Sequence, residues 1–167
     1  IIAVVVLNEI FGPLFLKFAL RQVDETHEKG KPETDEVRDT LIYGVEQQSL
    51  ALARKLKASG WQVKLVDTNP THLEQPLNDE ADNTHLIEAI TVETLSPLLA
   101  GVDALVVMLD DDEANFHACE IAYEQFGIRN MIVRLQDMSK REQFSAIGVR
   151  VIDPASAMIG LLDHYVR

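Results

Sequence analysis

One short segment, Gly44-Val45-Glu46-Gln47-Gln48-Ser49, has part of the residue pattern with which a turn between a strand and a helix holds a phosphate. The full dinucleotide pattern has glycine at the first, third and sixth positions, and this segment has it only at the first. Gly44 can form the tight turn, and Ser49 is small enough to let the following helix approach the sheet. Glu46 places a carboxylate where the backbone must approach a pyrophosphate, so we expect weakened phosphate binding.

Asp67 lies 23 residues after Gly44, at the end of a β-rich run, where a carboxylate can accept hydrogen bonds from both hydroxyls of a ribose. A carboxylate at this place also disfavours a ribose 2′-phosphate. The alternative is that Asp67 caps a turn with Thr68, Asn69 and Pro70, as aspartate often does. The chain thus retains the adenosine half of a nucleotide site more completely than the phosphate half.

Further acidic residues follow two more β-rich runs. Glu88 closes one of them, where it could reach an adenine amino group. The residues Asp110, Asp111, Asp112 and Glu113 follow another, and carboxylates are stabilised at the start of a helix. The alternative for this acidic run is a divalent cation site, which needs further oxygen ligands. The histidines have no zinc-like spacing, so we assign no metal site; they are His27, His72, His85, His117 and His164.

The elements that must position these residues are visible as β-rich runs that alternate with helical patterns of roughly ten to fifteen residues, as in repeated βαβ units. Gly60 and Gly127 follow two of the helical patterns as C-caps do. We therefore predict an α/β fold with a Rossmann-like, doubly wound, parallel sheet of six strands. The predicted strands are residues 40–45, 62–66, 84–89, 104–109, 130–135 and 150–152.

The composition limits the classes of protein to consider. A length of 167 residues allows one α/β domain and a short appendage but no second full domain. The formal net charge of -12, without a basic stripe, argues against nucleic acid as a partner. The single cysteine, Cys119, lies in an apolar helical pattern, which indicates a buried, reduced thiol and a cytosolic location.

The first 21 residues differ in composition from the rest. They are almost entirely apolar over a length that can cross a bilayer, so we predict the end of a last transmembrane helix at 1–21. Lys17 and Arg21 at its end place the following residues in the cytoplasm. The alternative is a hydrophobic helix buried in a larger soluble core, an option that Asn8 and Glu9 keep open.

Residues 22–39 are polar and contain Gly30 and Pro32, which predicts an exposed linker. The domain that carries the candidate site then extends over residues 40–167.

This domain resembles the regulator-of-potassium-conductance domains, also called the TrkA N-terminal type. The resemblance rests on LIYGVEQQSLALARKLKASG, WQVKLVDTNP, IEAITVETL, VDALVVMLDDDEANFHACEIAYEQFG and IRNMIVRLQD, in this order and spacing. Asn115, Arg134 and Asp153-Pro154 stand where family members carry similar residues. The family's glycine-aspartate-alanine run corresponds here to Ile87-Glu88-Ala89. The first segment, NEIFGPLFLKFAL, is similar to the final membrane helix of cation:proton antiporters, including the potassium efflux type.

The resemblance implies a homodimer of such domains at the inner membrane, with the regulatory domain in the cytoplasm. It also implies binding of NAD(H) or an adenine nucleotide, and gating of transport rather than catalysis. Because the glycine-rich turn is degenerate, we expect adenosine, AMP or another adenine nucleotide rather than NAD(H). The candidate binding residues are Gly44, Val45, Glu46, Gln47, Ser49, Asp67, Thr68, Glu88, Ala89, Asp110, Asn115 and Arg134.

Three other functions are each suggested by some feature of the sequence. A ligand-free dimerisation module of the same transporter is favoured by the degenerate turn. A small NAD-dependent oxidoreductase would need a second domain or an acid/base pair beside the nicotinamide. The sequence shows no such pair, and the stretch 154–167 has room for one helix only. A phosphoacceptor receiver domain would have its acidic pair after the first strand, where this chain has the Gly44 turn.

Overall fold

The computed structural model describes residues 38–73 and 83–166. Within them six strands form one sheet, and every neighbouring pair is parallel. The strands are β1 (Asp39–Tyr43), β2 (Gln62–Asp67), β3 (Thr84–Leu86), β4 (Ala104–Val107), β5 (Asn130–Arg134) and β6 (Arg150–Ile152).

The segments between the strands contain helices, as the right-handed crossover of a parallel sheet requires. A short 3-10 helix, Met138–Lys140, precedes the fifth of them. The α-helices are α1 (Gln47–Ala58), α2 (Pro70–Leu73), α3 (Val92–Leu99), α4 (Asp112–Phe126), α5 (Arg141–Ala146) and α6 (Pro154–Val166).

The order of the strands across the sheet is β3-β2-β1-β4-β5-β6. The chain therefore builds outward from β1 to β3, returns, and builds outward in the other direction from β4. This is the doubly wound order of nucleotide-binding folds, and it confirms the predicted α/β class and the six parallel strands. Between β1 and β4 the direction of building reverses, which leaves a crevice at the carboxyl ends of these two strands.

Apolar side chains pack on both faces of the sheet. In β1, Leu41 and Tyr43 belong to one buried cluster and Ile42 to the other, because successive residues of a strand point to opposite faces. Helices α3, α4 and α5 contribute to the first cluster, and α1 contributes Leu50 and Ala53 to the second. Burying a side chain of this size stabilises the fold by roughly 1.5 to 3 kcal/mol. The sheet is thus fixed from both sides.

Cys119 lies in the first of these clusters, on the buried side of α4. Burial raises the pKa of its thiol to about 12, so the thiol remains protonated at neutral pH. The expectation of a buried thiol is confirmed.

The third strand is shorter than predicted. It ends at Leu86, opposite Asp67, because β2 is its only neighbour among the described strands and ends at that residue. The N–H of Ile87 donates the last hydrogen bond, 2.9 Å long, to the carbonyl oxygen of Asp67. Glu88 and Ala89 consequently lie in the bend after the strand rather than within it. The first and fourth strands also end two residues before their predicted limits.

The predicted membrane helix at 1–21 and the predicted linker up to residue 37 lie outside the described residues. In the part of the chain that the structure describes, no helix combines the length and the apolar character that a membrane span requires.

Candidate functional site

The crevice at the carboxyl ends of β1 and β4 has a volume of about 340 Å³. It is lined by residues 44–46, 67–69, 72, 108–111 and 114. A second cavity of about 390 Å³ lies at the amino ends of the strands, beside Thr40, Trp61 and Lys64. Ligands of doubly wound sheets bind at the carboxyl ends of the strands, so we assign the candidate site to the first crevice.

Gly44 forms the floor of this crevice. Its φ of 104° is a conformation that side chains rarely allow. A Cβ atom at this position would lie 3.0 Å from the carbonyl carbon and oxygen of Met108. The turn after β1 and the loop after β4 therefore meet backbone against backbone, and only glycine permits this contact.

Ser49 makes two hydrogen bonds at the N-terminus of α1. The N–H of Glu46 donates to Ser49 Oγ at 2.8 Å, and the Ser49 hydroxyl donates to the carbonyl oxygen of Glu46 at 2.9 Å. Ser49 is fully buried. It thus keeps α1 close to the sheet, as its small size suggests, and it does not line the crevice. Gln47, the first residue of α1, is exposed and also lies outside the lining.

Asp67 lies at the end of β2 with only 1% of its surface exposed. Its Oδ2 accepts a hydrogen bond from the N–H of Val45 at 2.6 Å and lies 2.9 Å from Nδ1 of His72. Its Oδ1 accepts from the N–H of Asn69 at 2.8 Å. The carboxylate therefore caps the turn that follows β2, as the alternative for this residue predicts, and it also lies in the crevice wall.

His72 was not among the predicted site residues. It lies on the four-residue helix α2, and its side chain is 39% exposed while it contacts Asp67. Its Nε2 lies 3.2 Å from Nδ2 of Asn69. A signal for it was present in the sequence, because the turn residues Asn69 and Pro70 bring the chain back towards Asp67 within five positions. Thr68 lines the same side of the crevice.

Arg134 lies at the end of β5 with 13% of its side chain exposed. Its Nη1 donates to the carboxylate of Glu46. Its Nη2 donates to the carbonyl oxygen of Met108 at 2.6 Å and to Oδ1 of Asp110 at 3.1 Å. All three acceptors belong to residues of the crevice wall, so the guanidinium lies directly behind that wall.

The acidic run after β4 is used by the fold itself. Asp111 caps α4, with its Oδ1 accepting from the N–H groups of Glu113 at 2.9 Å and Ala114 at 3.4 Å. Asp112 is buried and accepts from the N–H groups of Gln136 at 3.2 Å and Asp137 at 2.8 Å. The capping role considered for this run is therefore the one observed. Within the described residues, no group of three or more His, Cys, Asp or Glu side chains could hold a metal ion.

Asn115 fixes the loop between β4 and α4. Its Oδ1 accepts from the N–H of Leu109 at 3.0 Å, and its Nδ2 donates to the carbonyl oxygen of Leu109 at 2.9 Å. The side chain is fully buried. Asn115 thus positions the crevice wall without lining the crevice itself.

The predicted site residues fall into three groups. The fold brings six of them together in the crevice wall: Gly44, Val45, Glu46, Asp67, Thr68 and Asp110. Arg134, Ser49 and Asn115 lie behind the wall and hold it in place. Glu88, Ala89 and Gln47 are exposed and lie outside the lining.

The lining of the crevice is strongly acidic. Among the residues that the structure describes, it contains the carboxylates of Glu46, Asp67, Asp110 and Asp111 and no lysine or arginine. Two like unit charges 4 Å apart near a protein surface repel each other by about 4 kcal/mol. A phosphate in this crevice therefore approaches four carboxylates, two of which are paired with Arg134 from behind the wall, whereas an uncharged nucleoside adds no charge.

Comparison of the sequence with known proteins identifies the family that this chain matches. The model of the TrkA-N domain family matches residues 40–154. The Trk system potassium uptake protein TrkA of Streptomyces coelicolor is 24% identical over 115 residues, which make up 67% of this chain and 51% of that protein. The chain thus spans about half the length of this curated relative.

Several solved structures share the fold. The TrkA-N domain of the inner membrane protein ybaL from Escherichia coli is 14% identical with a TM-score of 0.66, over 80% of this chain and 100% of that one. The AMP-bound Kef CTD of Shewanella denitrificans is 18% identical with a TM-score of 0.58, over 72% and 74%. A GsuK channel bound to NAD is 16% identical with a TM-score of 0.55, over 87% and 27%. At these identities the likeness shows the fold alone.

Proposed function

The chain belongs to the TrkA-N domain family, and from this premise we propose that it is a cytoplasmic regulatory domain of a monovalent cation:proton antiporter. In this proposal it senses an adenine nucleotide or adenosine and thereby gates transport of potassium or sodium. The observation that carries the proposal is the crevice at the reversal of strand order, where the Gly44 turn and Asp67 meet. The role is binding, and we assign no catalytic residue.

The geometry of Asp67 supports an adenosine ligand. A carboxylate has about four acceptor positions, and the N–H groups of Val45 and Asn69 and the ring of His72 use three of them. One acceptor position therefore remains, whereas the two hydroxyls of a ribose need two. His72 is partly exposed on a short helix, so the ribose can take its place beside Oδ2.

The ligand preference follows from the other end of the crevice. NAD would bring a pyrophosphate to the start of α1, where Glu46 lies. Adenosine brings no phosphate to this place, and AMP brings one. The AMP held by the Kef domain of similar fold supports this class of ligand for the present chain.

Isothermal titration of the 167-residue chain with adenosine, AMP, ATP and NADH tests the proposal. We expect adenosine to bind, with AMP and adenosine both preferred over NADH.

The variant Asp67→Asn should weaken the binding of adenosine about tenfold, since a hydrogen bond to a charged group contributes roughly 1.5 to 3 kcal/mol. His72→Ala should strengthen it about threefold by removing a competitor for Oδ2, on the scale of about 1 kcal/mol for one hydrogen bond. Tight NADH binding would contradict the ligand preference, and a lack of adenosine binding would contradict the sensor.

Glu142→Gln is a suitable control for these variants, because Glu142 is exposed on α5 and lies outside the crevice. It should leave all four affinities unchanged.

Coupling to transport requires a second element, and α6 supports a homodimer as that element. Its large apolar residues recur at the spacing of one helical face and are all more than half exposed: Met158, Ile159, Leu161, Leu162, Tyr165 and Val166. No residue of α6 is buried in the described part of the chain. We propose that a second copy of this chain covers the face, and that the ligand binds one arrangement of the dimer more tightly than another. A coupling free energy of about 1 to 3 kcal/mol is typical of such regulation.

Sedimentation velocity of the chain tests the dimer. Leu162→Asp should shift the population towards the monomer, because it places a charge in the apolar face. His164→Asp adds a carboxylate on the far side of the same helix and should leave the dimer intact. If both variants remain as dimeric as the wild type, α6 is not the interface.

The membrane attachment rests on residues 1–21, and the linker from 22 onward would transmit the change to it. Proton flux in vesicles that contain the complete transporter, measured with and without AMP, tests gating. An unchanged flux at saturating AMP contradicts it.

A second candidate function, a dimerisation module without ligand, is favoured by one specific observation. The polar groups of the crevice have partners within the chain: Glu46 pairs with Arg134, and Asp67 holds backbone N–H groups. A stable dimer that shows no heat of binding with any adenine ligand would support this function over sensing.

A further inference from the structure

The ion pair between Glu46 and Arg134 joins residues 88 positions apart, from the turn after β1 and the end of β5. Asp110 and the Met108 carbonyl oxygen accept the second arm of the same guanidinium. Both terminal nitrogens of Arg134 are therefore engaged with groups of the crevice wall, whereas its buried Nε has no hydrogen-bond partner among the described residues. Its two terminal nitrogens have one neutral and two anionic acceptors.

Arg134 is also the guanidinium that a phosphate in this crevice would need. Among the described residues, the lining contains four carboxylates and no lysine or arginine. The guanidinium of Arg134, which contacts the wall from behind, is therefore the group available to balance a phosphate. The helix α1 begins at the same place, and its first N–H groups favour a negative group there. The carboxylate of Glu46 lies at this helix start and already supplies that negative group to Arg134.

We propose that Glu46 is the specificity-determining residue of the crevice. Its carboxylate occupies the position in which Arg134 would otherwise hold a ligand phosphate, and the site therefore takes adenosine in preference to AMP. This inference rests on the proposed function, since it assumes that an adenosine moiety binds beside Asp67. It adds that the discrimination resides in one side chain and is made through competition for one guanidinium.

Competition of this kind makes a prediction that a merely structural ion pair does not. Removing the charge of Glu46 while keeping its size releases Nη1 of Arg134 for an external anion, while Nη2 keeps its contacts with Met108 and Asp110. Removing Arg134 as well takes the anion site away again. The ratio of the two ligand affinities should follow these changes, whereas the affinity for adenosine should remain nearly constant.

Titration of four versions of the full 167-residue chain with adenosine and AMP measures this ratio. In the wild type we expect AMP to bind about tenfold more weakly than adenosine. In Glu46→Gln we expect AMP to bind at least as tightly as adenosine, with the adenosine affinity changed less than threefold. In Glu46→Gln/Arg134→Met the gain for AMP should be lost. The control Glu113→Gln removes a carboxylate near the crevice that pairs with Lys140 and not with Arg134. It should leave the ratio of the AMP and adenosine affinities unchanged within twofold.

Inorganic phosphate gives a test that does not depend on adenosine. At constant ionic strength, replacing chloride by phosphate should raise the thermal midpoint of Glu46→Gln by a few degrees more than that of the wild type, and the double variant should lose this increment. A wild type that prefers AMP tenfold, or a Glu46→Gln variant with an unchanged ratio and no phosphate response, overturns the role of Glu46. Failure of adenosine to bind any version, with the phosphate response present, overturns the proposed sensor but supports the competition for Arg134.

Discussion

The two sides of the crevice are held together in different ways. On the β2 side, Asp67 accepts hydrogen bonds from backbone N–H groups and contacts a histidine five residues further on. On the β5 side, Arg134 donates hydrogen bonds to two carboxylates and a carbonyl oxygen, all in segments distant in sequence. The β2 side therefore depends on satisfied backbone groups, and the β5 side on charge. Substitutions on the first should affect the fold, and substitutions on the second mainly the ligand.

The largest expected effect is at Asp67. Asp67→Ala leaves the buried N–H of Val45 and the N–H of Asn69 without their acceptor, and an unsatisfied buried group costs roughly 1 to 3 kcal/mol. We expect the free energy of unfolding to fall by about 3 kcal/mol, measured by urea denaturation. Asp67→Asn retains one acceptor oxygen and should cost less. An effect of Asp67→Ala that disappears in high salt would mean that charge dominates this side too.

Gly44 links the two sides, and its replacement should have the next largest effect. Gly44→Ala combines a φ of 104° with a Cβ 3.0 Å from the backbone of Met108, and we expect a loss of about 2 kcal/mol. Gly60→Ala is a matched control, because Gly60 has a φ of 86° but no atom within 4 Å of the added Cβ. It should cost about 1 kcal/mol. Equal losses in urea denaturation would show that the contact with Met108 contributes nothing.

Arg134→Met should have a smaller effect on stability and a different dependence on salt. Glu46 is one-third exposed and Asp110 largely exposed, so water can solvate both carboxylates once the guanidinium is removed. We expect a loss of about 1 kcal/mol at low salt that shrinks as salt is added. Urea denaturation at two salt concentrations measures it. A salt-independent loss as large as that of Asp67→Ala would remove the distinction between the two sides.

The smallest effect is expected at Lys140, which pairs with Glu113 at 2.7 Å on the surface near the β5 side. A hydrogen bond to Glu113 raises the pKa of Lys140 above its ordinary value. A raised folded-state pKa contributes stability below the unfolded pKa, and this contribution is lost as the pH rises through the folded value. Because the pair lies at the surface, Lys140→Met should cause only a slight loss of stability at neutral pH. This loss should vanish in the alkaline range, where Lys140 of the wild type deprotonates. Urea denaturation of both proteins across this pH range measures it, and a difference that grows with rising pH would contradict the assignment to the Lys140–Glu113 pair.

The same difference explains what could be predicted from the sequence. The six parallel strands, the Gly44 turn and Asp67 follow from local patterns and from a spacing of 23 residues, so they could be found without coordinates. The partner of Glu46 lies 88 residues away, and nothing in the local sequence around either residue indicates the pairing. The resemblance to a family pointed to Arg134 but not to its contacts.

Other differences have similar causes. The end of β3 depends on where β2 stops, which is a property of the pair rather than of the residues 87–89. His72 reaches Asp67 because the short helix α2 turns the chain back. The residues Asn69 and Pro70 indicate that turn in the sequence, but they do not indicate which side chain contacts Asp67. The membrane helix at 1–21 stays a prediction.

The contact between Gly44 and the Met108 backbone has a consequence for how such a domain can diverge. The floor of the crevice consists of main chain from two loops, and a substitution cannot alter main-chain atoms. Side-chain variation therefore acts at the rim, where, under the proposal made for Glu46, a single substitution would change the ligand that the crevice accepts. An ancestral architecture can in this way be inherited intact while its ligand is exchanged.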